Sequence, residues 1–158
     1  MMKDILILGI GNLILNDEGV GIHIAHILKS MEMPDGVEVL DGGNGHSLVP
    51  EAMLQYKRLI FIDATIDDNP VGTVRRVSSQ ISSDLQQLHY EGNDVVDSVI
   101  KAMIIQDDMP LIDVLAVSVQ HNPTPGIQLS PEVRRVIPQV LQLIFEILDT
   151  SSHKRYYR

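Results

Sequence analysis

Two adjacent acids, Asp17 and Glu18, follow a glycine-rich break at the end of an apolar run, and carboxylates placed in such a loop could hold a cation. The run at residues 4–10 has the length of a buried strand, and from Val20 onward apolar residues recur at helical spacing. The acids therefore lie at a strand-to-helix junction, where open α/β sheets bind ligands. Acids at a helix start also have an ordinary explanation, because free amides and the helix dipole favour them there. The pattern alone favours that structural explanation.

A third carboxylate, Asp63, is harder to explain as structural. The preceding residues 59–62 are all apolar, which predicts a central strand that is covered on both faces and ends at Asp63. A buried unpaired charge is costly, so this carboxylate must be hydrogen-bonded, ion-paired or metal-bound. In the strand order 2-1-3 it would meet the Glu18 loop. Two carboxylates that converge in one crevice indicate a shared cation or a raised pKa.

A histidine would complete a metal site of oxygen and nitrogen ligands, and the absence of cysteine leaves no thiolate alternative. Three histidines are candidates: His46 in a second glycine-rich loop, His89 in a segment of unassigned structure, and His121 after the last predicted strand. Sheet geometry favours His121, because it follows that strand at the end where the acids should lie. His23 and His26, three residues apart on one helix, are interpreted as partly exposed helix residues.

A nucleotide-binding module is an alternative interpretation. Gly9 and Gly11 resemble the start of a dinucleotide fingerprint, and Asp41 ends the second predicted strand, where a ribose-binding acid would lie. The third glycine of that fingerprint is missing, because its position holds Ile14. The alternative is therefore weakened but stays open.

Length, charge and hydropathy restrict the class of protein. The 158 residues fit one domain, residues 1–158. A net charge of −9 argues against nucleic-acid binding, which needs a basic face. No apolar stretch reaches about 18 residues and the first residues do not resemble a signal peptide, so we expect a cytoplasmic protein without a membrane span.

The chain alternates strand and helix patterns, which predicts a parallel sheet with crossover helices. Ser130 and Pro131 are predicted to be the N-cap and the first residue of the last helix. Strands are predicted over residues 4–10, 37–40, 59–62, 72–78 and 112–119, and helices over residues 20–31, 47–56, 95–103 and 131–147.

Three ordered motifs carry a family resemblance: residues 9–21 (GIGNLILNDEGVG), residues 41–43 (DGG) and residues 62–64 (IDA). Together with residues 128–133 (QLSPEV), they closely resemble the hydrogenase maturation endopeptidases, which process the large subunits of nickel–iron hydrogenases. The resemblance implies an α/β fold, a three-layer α/β/α sandwich around a twisted, mostly parallel five-stranded sheet.

The resemblance also implies a site and a reaction. Glu18, Asp63 and His89 would bind nickel and carry out catalysis, so the family favours His89 where sheet geometry favours His121. The second glycine-rich loop would contact substrate through Asp41, Gly42 and Gly43.

The implied function is an endopeptidase that removes the C-terminal extension of a nickel-loaded large-subunit precursor. Two carboxylates and one imidazole compete weakly for nickel against thiolate-rich sites, so we expect the precursor to carry the metal, and we expect no organic cofactor. Without a serine or cysteine nucleophile motif, the attacking species should be water. A nucleotide-binding module and a non-enzymatic nickel chaperone are the alternatives.

Overall fold

A five-stranded, mostly parallel β-sheet forms the centre of the protein. The structure is a computed structural model that describes residues 3–44, 48–78, 94–105 and 107–153. Its strands are β1 (Lys3–Gly9), β2 (Val37–Asp41), β3 (Tyr56–Ile66), β4 (Val74–Ser78) and β5 (Leu111–Val119). The helices of the described part are α1 (Val20–Lys29), α2 (Val49–Gln55), α3 (Asp94–Ile105) and α4 (Pro131–His153), and a 3-10 turn at Asn16–Gly19 precedes α1.

The sheet has the strand order β2-β1-β3-β5-β4, in which only β4 runs antiparallel to its neighbour. The first three strands thus have the order 2-1-3, which is the condition under which Asp63 would meet the Glu18 loop, and β4 lies at an edge. Helices cover both faces. Ile7 and Ile60 face the core beneath α1 and α4, whereas Leu8 and Phe61 face the core beneath α2 and α3. This arrangement confirms the predicted three-layer α/β/α sandwich.

The last helix begins where the sequence predicts. It starts at Pro131, and the Ser130 hydroxyl accepts a hydrogen bond of 3.4 Å from the Val133 amide, as an N-cap does.

One boundary differs in a way that affects the site. The apolar run of residues 59–62 predicts a strand that ends at Asp63, but β3 continues to Ile66 and Asp63 lies inside it. The extension forms because β5 continues alongside β3, so that Asp63 is paired with Ala116 and Ile66 with Val119. The apolar pattern of residues 59–62 alone does not reveal this pairing.

Candidate functional site at the carboxyl edge of the sheet

Two glycines let α1 pack directly against the ends of two strands. A Cβ atom on Gly9 would collide with the carbonyl oxygen of Gly21, and a Cβ on Gly21 would collide with the carbonyl oxygens of Ile10 and Ile62. The 3-10 turn before α1 packs against β3 as a result. The turn that carries both acids is therefore held at the carboxyl edge of β1 and β3.

The two adjacent acids have different surroundings. Asp17 is buried, with 9% of its surface exposed, and its Oδ1 accepts a hydrogen bond of 2.7 Å from the Ser130 amide at the start of α4. Neither acid caps the 3-10 turn or α1 from an N-cap position. Asp17 is thus a structural link between two elements, which leaves Glu18 as the acid of this turn that a ligand could reach.

Glu18 contacts His121, which follows the last strand of the sheet in the chain, β5. The Nδ1 atom of His121 lies 3.0 Å from Glu18 Oε2, and the two side chains are 53% and 21% exposed, respectively. His121 follows β5 by two residues, and β5 lies beside β3, so the sheet delivers it to the same edge. The structure therefore brings together Glu18 and the histidine that sheet geometry favoured.

Backbone hydrogen bonds tie the His121 loop to the turn. The Asn16 amide donates to the Gly126 carbonyl and the Gly126 amide donates to the Ile14 carbonyl, both at 2.8 Å. The Asn16 side chain also donates to the Thr124 carbonyl at 2.8 Å. Asn16 adopts a positive φ of 52°, a conformation that asparagine tolerates better than most residues. Sequence reasoning did not identify Asn16 or Gly126, and only the paired loops reveal their role.

Asp63 is partly exposed. The residue before it, Ile62, is hydrogen-bonded to the loop that follows β1. The Ile10 amide donates to the Ile62 carbonyl at 2.9 Å, and the Asn12 amide donates to the Glu18 carbonyl at 3.1 Å. The loop after β1 therefore binds the main chain of Glu18 and the main chain just before Asp63.

The second glycine-rich loop lies against the first. The Gly11 amide donates to the Gly43 carbonyl at 2.9 Å, and the Gly43 amide donates to Asp41 Oδ1 at 2.8 Å. Asp41 Oδ2 lies 2.7 Å from His26 Nε2. Burial raises the pKa of the Asp41 carboxyl, but the Gly43 amide and His26 outweigh this and hold that pKa below its usual value. Asp41 is thus engaged within the protein as an anion.

These bonds also bear on the nucleotide alternative. A dinucleotide loop must point free backbone amides at phosphate. Here the amides of Ile10, Gly11 and Asn12 are bonded to carbonyl groups of the protein itself. The structure gives no support to phosphate binding at this loop.

A cavity of about 640 Å³ lies beside α1 and is lined in part by His23, His26 and Arg134. His23 is partly buried, and His26 is exposed, as their interpretation as helix residues requires. Burial is the main cause that lowers the pKa of His23, and the neighbouring His26 acts in the same direction.

The third metal ligand is undecided by the described part of the chain. The predicted ligand His89 and the candidate His46 both lie outside the described residues. Within the described ranges, no group of three or more histidines and acids is arranged to hold a metal ion. The set of Glu18, Asp63 and His89 stays a prediction.

Comparison with known proteins gives concordant matches. The family model described as hydrogenase maturation protease (HycI) matches residues 22–147. The chain is 28% identical over 154 residues to the hydrogenase 2 maturation protease of Escherichia coli, which covers 94% of this chain and 92% of that protein. It is 32% identical over 95 residues to a putative hydrogenase maturation protease of Methanocaldococcus jannaschii, which covers 59% of this chain and 62% of the relative, somewhat less than two thirds. Among solved structures, the hydrogenase maturating endopeptidase HybD of E. coli superposes with a TM-score of 0.75 at 27% identity, covering 96% and 94% of the two chains.

Proposed function

This chain belongs to the hydrogenase maturation protease family, and we propose that it removes the C-terminal extension of a nickel–iron hydrogenase large-subunit precursor. The observation that carries the proposal is the position of Glu18. Two loops hold this residue at the carboxyl edge of β1 and β3, where its side chain is partly exposed. Ligands of open α/β sheets bind at this edge. The match to the family model identifies the class of enzyme, and the position of Glu18 supports the site.

We assign nickel to the substrate. Glu18, Asp63 and His89 would offer two carboxylates and an imidazole, and the chain contains no cysteine. Such a set binds nickel less strongly than a thiolate-rich site does, so it suits recognition of a metal that precursor cysteines already hold. Cleavage would then report that the metal has been inserted.

The attacking species in this proposal is water. A nearby carboxylate of the site could accept its proton as a general base, as in aspartyl-type endopeptidases, and nickel of the substrate could polarise the scissile carbonyl as a Lewis acid. The carboxylates at this edge are the groups of this chain that would hold or move that proton. The loop of Asp41, Gly42 and Gly43 would contact the precursor next to them, since Gly43 is bonded to the Glu18 loop through Gly11.

The partner is the large-subunit precursor, and the acidic net charge of −9 argues against nucleic acid. Among the described residues, no helix has the length and apolar character needed to cross a membrane. We propose that cleavage takes place in the cytoplasm.

Incubation of the purified protein with a nickel-loaded precursor tests the proposal. Mass spectrometry should show a single cut that releases the C-terminal extension. Nickel transfer without any cut would instead support a chaperone, and tight binding of an adenine dinucleotide would support the nucleotide-binding module.

A further inference from the structure

We propose that His121 is a positioning residue that fixes the orientation of the Glu18 carboxylate by donating a hydrogen bond from Nδ1 to Oε2. The inference rests on the proposed function of this site and extends it by one residue, outside the predicted set of Glu18, Asp63 and His89. It assigns the imidazole to the carboxylate and not to the metal.

The contact between His121 and Glu18 has the geometry of a hydrogen bond. The 3.0 Å separation between His121 Nδ1 and Glu18 Oε2 is a normal hydrogen-bond length. A neutral imidazole that donates from Nδ1 keeps its proton there, and Nε2 then points away from the carboxylate. One Glu18 oxygen is thereby occupied, and Oε1 remains to contact the nickel or the attacking water.

The need for such a partner follows from the position of Glu18. Glutamate loses much rotamer freedom when it is held in one orientation, and Glu18 is a partly exposed residue of a turn of four residues. Carboxylates that bind metals are usually held by a hydrogen bond from a neighbouring group, and loss of that group weakens metal binding by roughly 10–100-fold.

Main-chain hydrogen bonds hold the loop that contains His121. The loop of residues 121–126 begins at the end of β5 and is fixed at its other end by the two main-chain bonds between Asn16, Gly126 and Ile14. Asn122 Oδ1 accepts a hydrogen bond of 3.1 Å from the Thr124 amide within the loop. Because Glu18 and His121 are attached to segments that are bonded to each other, the main chain keeps the two residues within reach of each other.

The test uses the side-chain nitrogen position. His121→Asn places an amide where Nδ1 stands, His121→Gln places it near the position of Nε2, and His121→Leu removes the donor. Cadmium binding to the free enzyme, measured by calorimetry, and kcat/KM for a nickel-loaded precursor are the two readouts. Gln120→Leu, at the exposed residue that directly precedes His121, is the matched control for an apolar substitution at this position of the chain.

We expect His121→Leu and His121→Gln to lose roughly tenfold or more in cadmium affinity and in kcat/KM, and His121→Asn to recover most of both. Gln120→Leu should behave as the wild type. The inference is overturned if all three His121 variants match the wild type, or if His121→Asn is as impaired as His121→Leu, which would point to a ligand role. Failure of the wild type to cut any precursor would reject the proposed function, while the cadmium series would still decide the role of His121.

Discussion

Asp17 and Glu18 are neighbours in the chain, yet their carboxylates serve different parts of the molecule. Asp17 accepts a hydrogen bond from the Ser130 amide at 2.7 Å, whereas Glu18 is partly exposed and contacts His121. Both residues are carboxylic acids of the same turn, so the sequence around them does not distinguish their roles. The distinction comes from partners more than a hundred residues away.

This difference predicts opposite effects of substitution. Asp17→Ala should lower the free energy of unfolding by about 2 kcal/mol, because it leaves the Ser130 amide without its acceptor. Glu18→Gln should leave that free energy nearly unchanged but reduce cleavage at least about 100-fold, because a site carboxylate is lost. Urea unfolding and precursor cleavage measure the two effects, and a stable but inactive Asp17→Ala would contradict the assignment.

Asp63→Asn is predicted to abolish most cleavage with little loss of stability. The carboxylate is partly exposed. In the proposed site, removal of one of two converging negative charges would relieve their repulsion, while an amide is a poorer metal ligand. We expect an unchanged or slightly raised melting temperature together with a strong fall in precursor cleavage.

Asp113→Asn is the matched control for Asp63→Asn, because it makes the same change on the adjacent strand. Asp113 is 1% exposed and pairs with Arg58 at 2.7 Å and with Arg76 at 3.0 Å, at the end of the sheet opposite to the site. Its substitution leaves the charge of the mostly buried Arg58 uncompensated and should cost about 3 kcal/mol. A larger loss of stability from Asp63→Asn than from Asp113→Asn would identify Asp63 as structural.

His23 predicts how stability depends on pH. Burial is the main cause that lowers the pKa of His23 in the folded protein below the usual 6.5, and the nearby His26 acts in the same direction. Just below pH 6.5 the unfolded chain therefore binds more protons than the folded one, so stability falls as the pH decreases through this range. The melting temperature should drop less between pH 7.5 and pH 5.5 in His23→Gln than in the wild type. Equal drops in both proteins would show that His23 does not contribute.

At the scale of elements, the close packing of α1 on β1 and β3 sets the position of Glu18. Gly21→Ala would place a methyl group against the backbone oxygens of Ile62, which lies inside β3, and of Ile10, which directly follows β1. Neither oxygen can move without disturbing the adjoining strand. We expect a loss of about 3 kcal/mol in unfolding free energy and a larger proportional loss of cleavage, as the turn that carries Glu18 is displaced. Lys29→Ala, on the exposed side of the same helix, should change neither measurement appreciably.

The elements themselves are largely predictable from sequence because their signals are local. Apolar runs, alternating patterns and helical stripes predict the five strands of the described sheet and the last helix, whose start at Pro131 follows from an N-cap serine. The position of Asp63 inside β3 was missed because the extension depends on pairing with β5. The bonds between Asn16 and Gly126 were missed for the same reason, since neither segment carries a signal for its partner.

At the scale of the whole molecule, the strand order places the candidate site. The chain leaves β1 toward β2 on one side and returns to β3 on the other side, so β1 and β3 flank the point where the order reverses. Loops that diverge there leave a crevice. Glu18 follows β1, Asp63 lies on β3, and His121 follows β5, so the fold accounts for the meeting of segments that are far apart in sequence.

The comparison of nickel-loaded and nickel-free precursor tests the central claim most directly, namely that the carboxylates of this edge recognise nickel carried by the substrate. Both forms are incubated with the same concentration of enzyme, and the released C-terminal extension is measured by mass spectrometry over time. We predict that the nickel-loaded precursor is cut and that the nickel-free precursor stays intact. Equal cleavage of the two forms would contradict the claim.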